Sequence, residues 1–321
     1  MVSLYITIDT EYAAGFPWRD DRRENFARSI AGQVADGEAG IFYQMAVMDR
    51  HGIKAVFFVD PLPALVWGVE AIADVVGPIV ARGHDVQLHA HTEWLAIAGA
   101  NNPLGTATGL NIRDFTFEQQ CELLDYAKGV LIAAGAPAPV AFRAGNYGAN
   151  DDTLRALAAL GLAYDSSHTP GIVGSHSRIA LGPEDRVPVK IHGVTEVPVS
   201  CIAGPRGSRR HFQLTALTDG EIGAALRHAR RQPEVPMTLV SHSFELLSRD
   251  RSRKNQILVR RFERLCAWLE REPGVTTATY ADNPPLALPA STHAALLPHS
   301  LLRTGWRYAE QAAANALYGA R

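Results

Sequence analysis

Short apolar runs that end in an acidic, basic or imidazole side chain recur along this chain, with helical periods between them. This rhythm limits the fold more than any other feature. Residues 4–9, 54–60, the stretch through His89, 140–145, 163–165, 237–241 and 275–280 read as strands. Residues 38–51, 64–82, 116–134, 151–160, 219–231 and 252–272 read as helices, the third with a cap at Thr116 and Gln119 three residues on. Residues 172–207 are irregular, with β-like pieces at 187–191 and 195–201, while 15–36 and 99–111 read as loops. About eight strands interleaved with helices imply a mostly parallel sheet, and the count suits a barrel. An open doubly wound sheet would carry a Gly-rich phosphate turn after an early strand, and none is present. Residues 283–298 are rich in proline and alanine and 301–317 have an amphipathic helical period. The expected organisation is therefore a barrel over 1–282 and a linker with a helical extension over 283–321.

Composition excludes several classes. The net charge of −2 gives no basic field to attract nucleic acid. No stretch nears the roughly 20 apolar residues of a membrane span. Cys121, Cys201 and Cys266 lie far apart, which argues against a disulfide framework or a zinc knuckle. Residues 3–8 already read as a strand, without the charged and apolar regions of a signal peptide, so a cytoplasmic protein is expected. The oligomeric state is left open.

The densest chemistry lies in Gly83-His84-Asp85-Val86-Gln87-Leu88-His89-Ala90-His91-Thr92-Glu93-Trp94. Side chains two apart in a strand share a face. Gln87, His89 and His91 then point one way, and Val86, Leu88 and Ala90 the other. Imidazole is a favoured ligand for zinc, iron and nickel, and Glu93 adds a carboxylate. In the first strand Leu4, Ile6 and Ile8 share one face, and Tyr5, Thr7 and Asp9 the other, with Glu11 following on the Asp9 side. Two carboxylates so close call for a cation or a proton. Arg143, in Phe142-Arg143-Ala144-Gly145-Asn146-Tyr147-Gly148, ends another strand and can orient a carboxylate. Asp165 ends the next. His242 closes Thr238-Leu239-Val240-Ser241-His242, where an imidazole can serve as general acid. Singly, each also reads as a cap, a salt bridge or a satisfied core group. Together, five strand ends of this kind point to the mouth where barrel enzymes build their sites.

The order and spacing of these residues resemble the polysaccharide deacetylase family (NodB-homology, carbohydrate esterase 4) over about residues 3–281. The WalW-like branch, associated with lipopolysaccharide biosynthesis, is the most similar. The resemblance implies an α/β fold, a distorted (β/α)7–8 barrel of the NodB-homology type, holding one divalent metal, zinc by expectation. Thr7-Ile8-Asp9-Thr10-Glu11 stands where the family usually has Thr-Phe-Asp-Asp. Asp9 is then the implied general base. Thr10 occupies the usual metal-aspartate position without its charge, which makes Glu11 the candidate ligand. Gly83-His84-Asp85 is similar to the lead of the second motif, His-x-x-x-His, and His89 matches its first ligand. Glu93 falls on the second ligand position. His91, two residues on rather than four, is the alternative; an extended course favours it, a helical turn would bring Glu93 round, and His91 is preferred. Phe142-Arg143, Asp165 and Leu239-Val240-Ser241-His242 resemble the later motifs. They imply that Arg143 positions the base, that His242 is the acid and that Asp165 tunes it.

The expected function is metal-assisted removal of an acyl group, N-acetyl foremost, from a sugar or a lipid-linked sugar. Backbone N–H groups near Tyr147 are candidates to hold the oxyanion. Allantoinase-like cleavage of a cyclic amide is the alternative enzyme. A non-catalytic carbohydrate-binding protein is the third reading, and Thr10 and Glu93 are the features that favour it.

Overall fold

The computed structural model describes residues 1–289 and 291–319. Eight strands follow one another in a single sheet: Met237–His242, Val2–Thr10, Val56–Val59, Asp85–Ala90, Ala141–Ala144, Tyr164–Asp165, Val194–Glu196 and Val189–Ile191. A ninth, Val275–Thr277, pairs with the start of Val2–Thr10. Only the hairpin joining Val189–Ile191 to Val194–Glu196 is antiparallel. The two end strands do not pair with each other, so the sheet curls into an open, distorted (β/α) barrel.

Alternation along the strands builds two apolar layers. Leu4, Ile6, Ile8, Phe57, Val59 and Leu88 face outward and pack with helix residues such as Met45, Ile72, Ile79 and Leu123. Each fully buried Ile or Leu there contributes about 2 kcal/mol. Tyr5, Val56, Phe58, Ala141, Val197 and Tyr280 form a separate inner cluster that fills the floor of the barrel. Gln87 shares the inner face with His89. Its Oε1 accepts from the Val140 and Ala141 N–H groups at 2.9 and 2.7 Å, and its Nε2 donates to Asp85 Oδ1 at 2.8 Å. Asp85 Oδ2 in turn accepts from the Tyr280 N–H at 2.9 Å. These bonds fix three segments of the floor beneath the polar strand ends.

Several elements differ from the sequence reading. The loop expected over 15–36 contains a helical turn, Arg22–Asn25, which runs on as a wide helix, Phe26–Ala31, and a hairpin of Gln33–Val34 with Gly37–Glu38. Asp21 caps the turn through the Arg23 and Glu24 N–H groups. The helix expected over 64–82 is two, Ala64–Trp67 and Val69–Ala81, divided at Gly68, whose φ of 78° no helical residue adopts. The piece expected at 195–201 is split between Val194–Glu196 and Cys201–Ala203, and the latter pairs with Arg209–His211 as a separate hairpin. Thr116 and Gln119 form the reciprocal cap, with Gln119 N–H donating to Thr116 Oγ1 at 3.3 Å.

The C-terminal helix Leu301–Tyr318 lies against the barrel's helices. Buried Arg307 pairs with buried Glu221, and Arg261 pairs with Glu310. Within the 283–321 extension, positions 290, 320 and 321 lie outside the described residues. No helix among the described residues is long and apolar enough to cross a membrane.

Candidate functional site

Parallel register sets the polar strand ends side by side. Asp9 lies opposite His242 on one flank and Phe58 on the other, and His89 lies opposite Arg143. Because inner and outer positions alternate, Thr7, Asp9 and Glu11 face the barrel interior and Thr10 faces away. The Thr10 hydroxyl donates to the Ile8 carbonyl at 3.1 Å.

Arg143 is fully buried and makes the central fastening. Its Nη1 donates to Asp9 Oδ1 at 2.6 Å and to Thr7 Oγ1 at 2.8 Å. Nε and Nη2 donate to the Ser166 carbonyl and hydroxyl, both at 3.1 Å, and the guanidinium lies 4.4 Å from the Phe58 ring centre. Asp9 Oδ2 has no donor among the described residues. The expected conflict between the Asp9 and Glu11 charges is therefore met by the protein's own cations. Arg143 balances Asp9, and the His91 imidazole balances Glu11.

Glu11, His89 and His91 form the one group among the described residues whose ligand atoms could share a metal ion, with those atoms within 4.8 Å of one another. Glu11 Oε2 lies 2.5 Å from His91 Nε2 and 3.4 Å from His89 Nε2. His89 Nδ1 donates to the Arg143 carbonyl at 2.6 Å, which leaves Nε2 as the nitrogen facing Glu11. Burial works against the Glu11 charge, but His91 and His89 outweigh it and hold the carboxyl well below its usual range. Burial likewise works against a charged His91, and Glu11, then Glu93 and Asp60, hold its imidazole well above the usual value. Two imidazole nitrogens and one carboxylate oxygen are a donor set that suits zinc.

Glu93, expected as a ligand, stands behind His91 instead. Its Oε2 is 3.3 Å from His91 Nδ1, and its Oε1 accepts from Asn146 Nδ2 at 3.1 Å. The chain is extended only to Ala90, so His91 still projects inward while Glu93 falls on the turn before the helix Trp94–Ala98. A carboxylate in this position fixes the ring of the ligand in front of it. Gly145 makes the fit possible, since a Cβ there would lie 2.6 Å from the Ala90 carbonyl and 2.9 Å from the His91 ring.

His242 is paired through Nδ1 with the carboxylate of buried Glu245. Burial opposes the imidazolium, but Glu245 more than compensates, followed by Asp9 and Glu11, and its pKa rises to about 9. Gln213 Nε2 supports Glu245 Oε1 at 2.8 Å. Asp165 does not reach His242. It accepts from the Ser167 N–H and hydroxyl at 3.1 and 2.8 Å, and it lies opposite Glu196 on the next strand. Both carboxyls are fully buried; burial raises both pKa values, and the Asp165 charge lifts Glu196 further.

Three residues of the site were not singled out in the sequence. Glu245 follows His242 by three, a spacing that a turn after a strand end would have exposed. Asp60 follows the strand Val56–Val59 directly, and its N–H donates to the Thr10 carbonyl. It is 1% exposed, its Oδ2 has no partner among the described residues, and burial pushes its carboxyl up to about 7 despite His91 and His89. His211 comes from the irregular hairpin; its Nε2 is 3.2 Å from the Tyr147 hydroxyl. Burial, helped by Arg143 and His242, lowers it to about 4, so it is neutral. Asn146 and Tyr147 hold left-handed backbone, with φ of 54° and 57°. A cavity of about 610 Å³ opens on the His242–Glu245 side of the site, between Phe16, Phe244, Arg251 and the C-terminal helix at Gln311 and Tyr318; Asp9, Glu11, His89 and His91 do not line it.

No protein-family model matches the chain, and no curated protein sequence matches it. Solved structures do. A protein from Mycobacterium smegmatis assigned as a polysaccharide deacetylase superposes with a TM-score of 0.55 at 15% identity, covering 87% of each chain. The 4-alpha-glucanotransferase from Thermococcus litoralis gives a TM-score of 0.51 at 10% identity, over 88% of this chain and 40% of that one. The chain shares its fold with these proteins. At such identities the likeness is one of architecture.

Proposed function

We propose that the protein is a metal-dependent hydrolase that removes an acyl group, N-acetyl foremost, from a sugar or a lipid-linked sugar. One observation carries the reading. A carboxylate fastened by a buried arginine, a Glu-His-His donor set and a carboxylate-backed imidazole meet at one mouth of the barrel. The shared fold with a protein assigned as a polysaccharide deacetylase supports it. The order and spacing of the strand-end residues are the ground for proposing the WalW-like branch of that family.

Glu11, His89 and His91 would hold the divalent ion, zinc by the character of its donors. Such an ion supplies Lewis acidity toward an acyl oxygen and lowers the pKa of bound water. The chain's own residues do the rest. Arg143 takes up Asp9 Oδ1 and leaves Oδ2 to accept a proton from the attacking water. His242, charged below about pH 9, gives a proton to the departing amine, and Glu245 keeps its ring turned and charged. Glu93 holds the His91 ring from behind. The cavity beside His242 is within the size range of small-molecule sites. Asp9→Asn, assayed by acetate release from acetylated chito-oligosaccharides, is expected to lower turnover by at least about a hundredfold. Unchanged turnover would end this assignment.

A further inference from the structure

Four arginines are buried among the described residues: Arg143, Arg251, Arg261 and Arg307. Three have carboxylate partners, Asp9 for Arg143, Asp219 and Glu310 for Arg261, and Glu221 for Arg307. Arg251 has none within 4 Å among the described residues. It is 6% exposed, and its one side-chain hydrogen bond runs from Nη1 to Ser29 Oγ at 2.6 Å. Its guanidinium is clasped between two aromatic rings, 3.7 Å from the Phe244 ring centre and 4.4 Å from that of Phe16. Among the described residues, its Nε and Nη2 have no protein acceptor.

Two further facts turn this into a site. Arg251 lines the same cavity as His242 and Glu245, the pair assigned above to leaving-group protonation. It also holds a left-handed backbone, φ 56°, with its N–H bonded to the Ser248 carbonyl at 2.8 Å. A residue other than glycine adopts that conformation at a cost in strain, which is met where a side chain must be aimed. A buried charge with no carboxylate within 4 Å among the described residues is likewise unfavourable, and aromatic faces offset it only in part. Burial lowers the Arg251 pKa to about 10, with Glu11 acting the other way, so the charge persists at neutral pH.

We propose that Arg251 receives an anionic group of the substrate, a carboxylate or a phosphate on the acylated sugar, as that sugar lies in the cavity beside His242. The substrate class is thereby narrowed from acylated sugars to acidic ones, an inference that rests on the hydrolase reading above. Planar bidentate recognition of an oxyanion is what a guanidinium offers and an ammonium does not.

The test compares acetate release from N-acetylglucosamine, N-acetylmuramic acid and N-acetylglucosamine 1-phosphate by the zinc-supplemented protein and by Arg251→Met and Arg251→Lys. The wild-type protein is expected to favour at least one acidic sugar over the neutral one by about tenfold or more in kcat/KM, chiefly through KM. In Arg251→Met that ratio falls to about one, and Arg251→Lys retains part of it. Whichever acidic sugar is favoured identifies the anion. A calorimetric titration with inorganic phosphate accompanies it, with saturable binding by the wild-type protein and binding weaker by about tenfold or more in Arg251→Met. That titration needs no turnover, so it stays readable if the hydrolase assignment fails. Wild-type protein that neither prefers an acidic sugar nor binds phosphate would overturn the proposal, as would an undiminished preference in Arg251→Met.

Discussion

Glu245→Gln removes the charge that keeps His242 protonated while leaving the side chain's shape. The His242 imidazole sits at about 9 although burial opposes its charge, because the Glu245 carboxylate outweighs that burial, with Asp9 and Glu11 contributing less. Without Glu245 the pKa is expected to return at least to the ordinary value of about 6.5. At pH 8 the protonated fraction would then fall from about nine-tenths to about one-thirtieth. The expected result is a roughly thirtyfold loss of kcat/KM at pH 8 that nearly vanishes at pH 6. The assay is acetate release across pH 5.5 to about 10, read as the position of the alkaline limb of the profile. A limb that stays near 9 in Glu245→Gln refutes the reasoning, as does a loss equal at every pH.

Two further substitutions separate supporting residues from ligands. Glu93→Gln is expected to weaken zinc binding by about tenfold to a hundredfold, and Glu11→Gln by more, in competition with a chelator. The reverse order would make Glu93 the ligand. Asp60 has a folded pKa of about 7, above the usual 3.8, so its ionisation works against folding. That penalty is absent below the lower value and complete above the higher one. Asp60→Asn should therefore raise the Tm of the metal-free protein by a few degrees at pH 8 and by less at pH 5 in calorimetry. Equal gains at the two pH values would contradict the argument.

The rhythm of strands and helices carried most of this fold in the sequence, because period two and period 3.6 are local properties. The strand ends carried part of the site for the same reason. Asp9, His89, Arg143 and His242 end runs whose apolar faces declare which way the polar residue points. What was not legible depended on register between distant segments. Asp165 faces Glu196 rather than His242 because the strand Val194–Glu196 is laid beside it, and no local pattern announces that pairing. His211 enters from a hairpin of three-residue strands, too short for any period to show. Glu93 and His91 could be told apart only by where the chain stops being extended, which is decided by the turn after Ala90. Arg251 stands among Arg249, Arg253 and Lys254, and nothing in that basic run announces that it is buried. Its burial comes from Phe16 and Phe244, which lie far apart in the chain.

The most direct measurement is a crystal of the purified protein soaked in zinc, with anomalous scattering recorded at the zinc edge. The account predicts a single strong peak per chain in contact with Glu11, His89 Nε2 and His91 Nε2. A peak bound elsewhere, or none at a zinc concentration that sustains deacetylation, would contradict it.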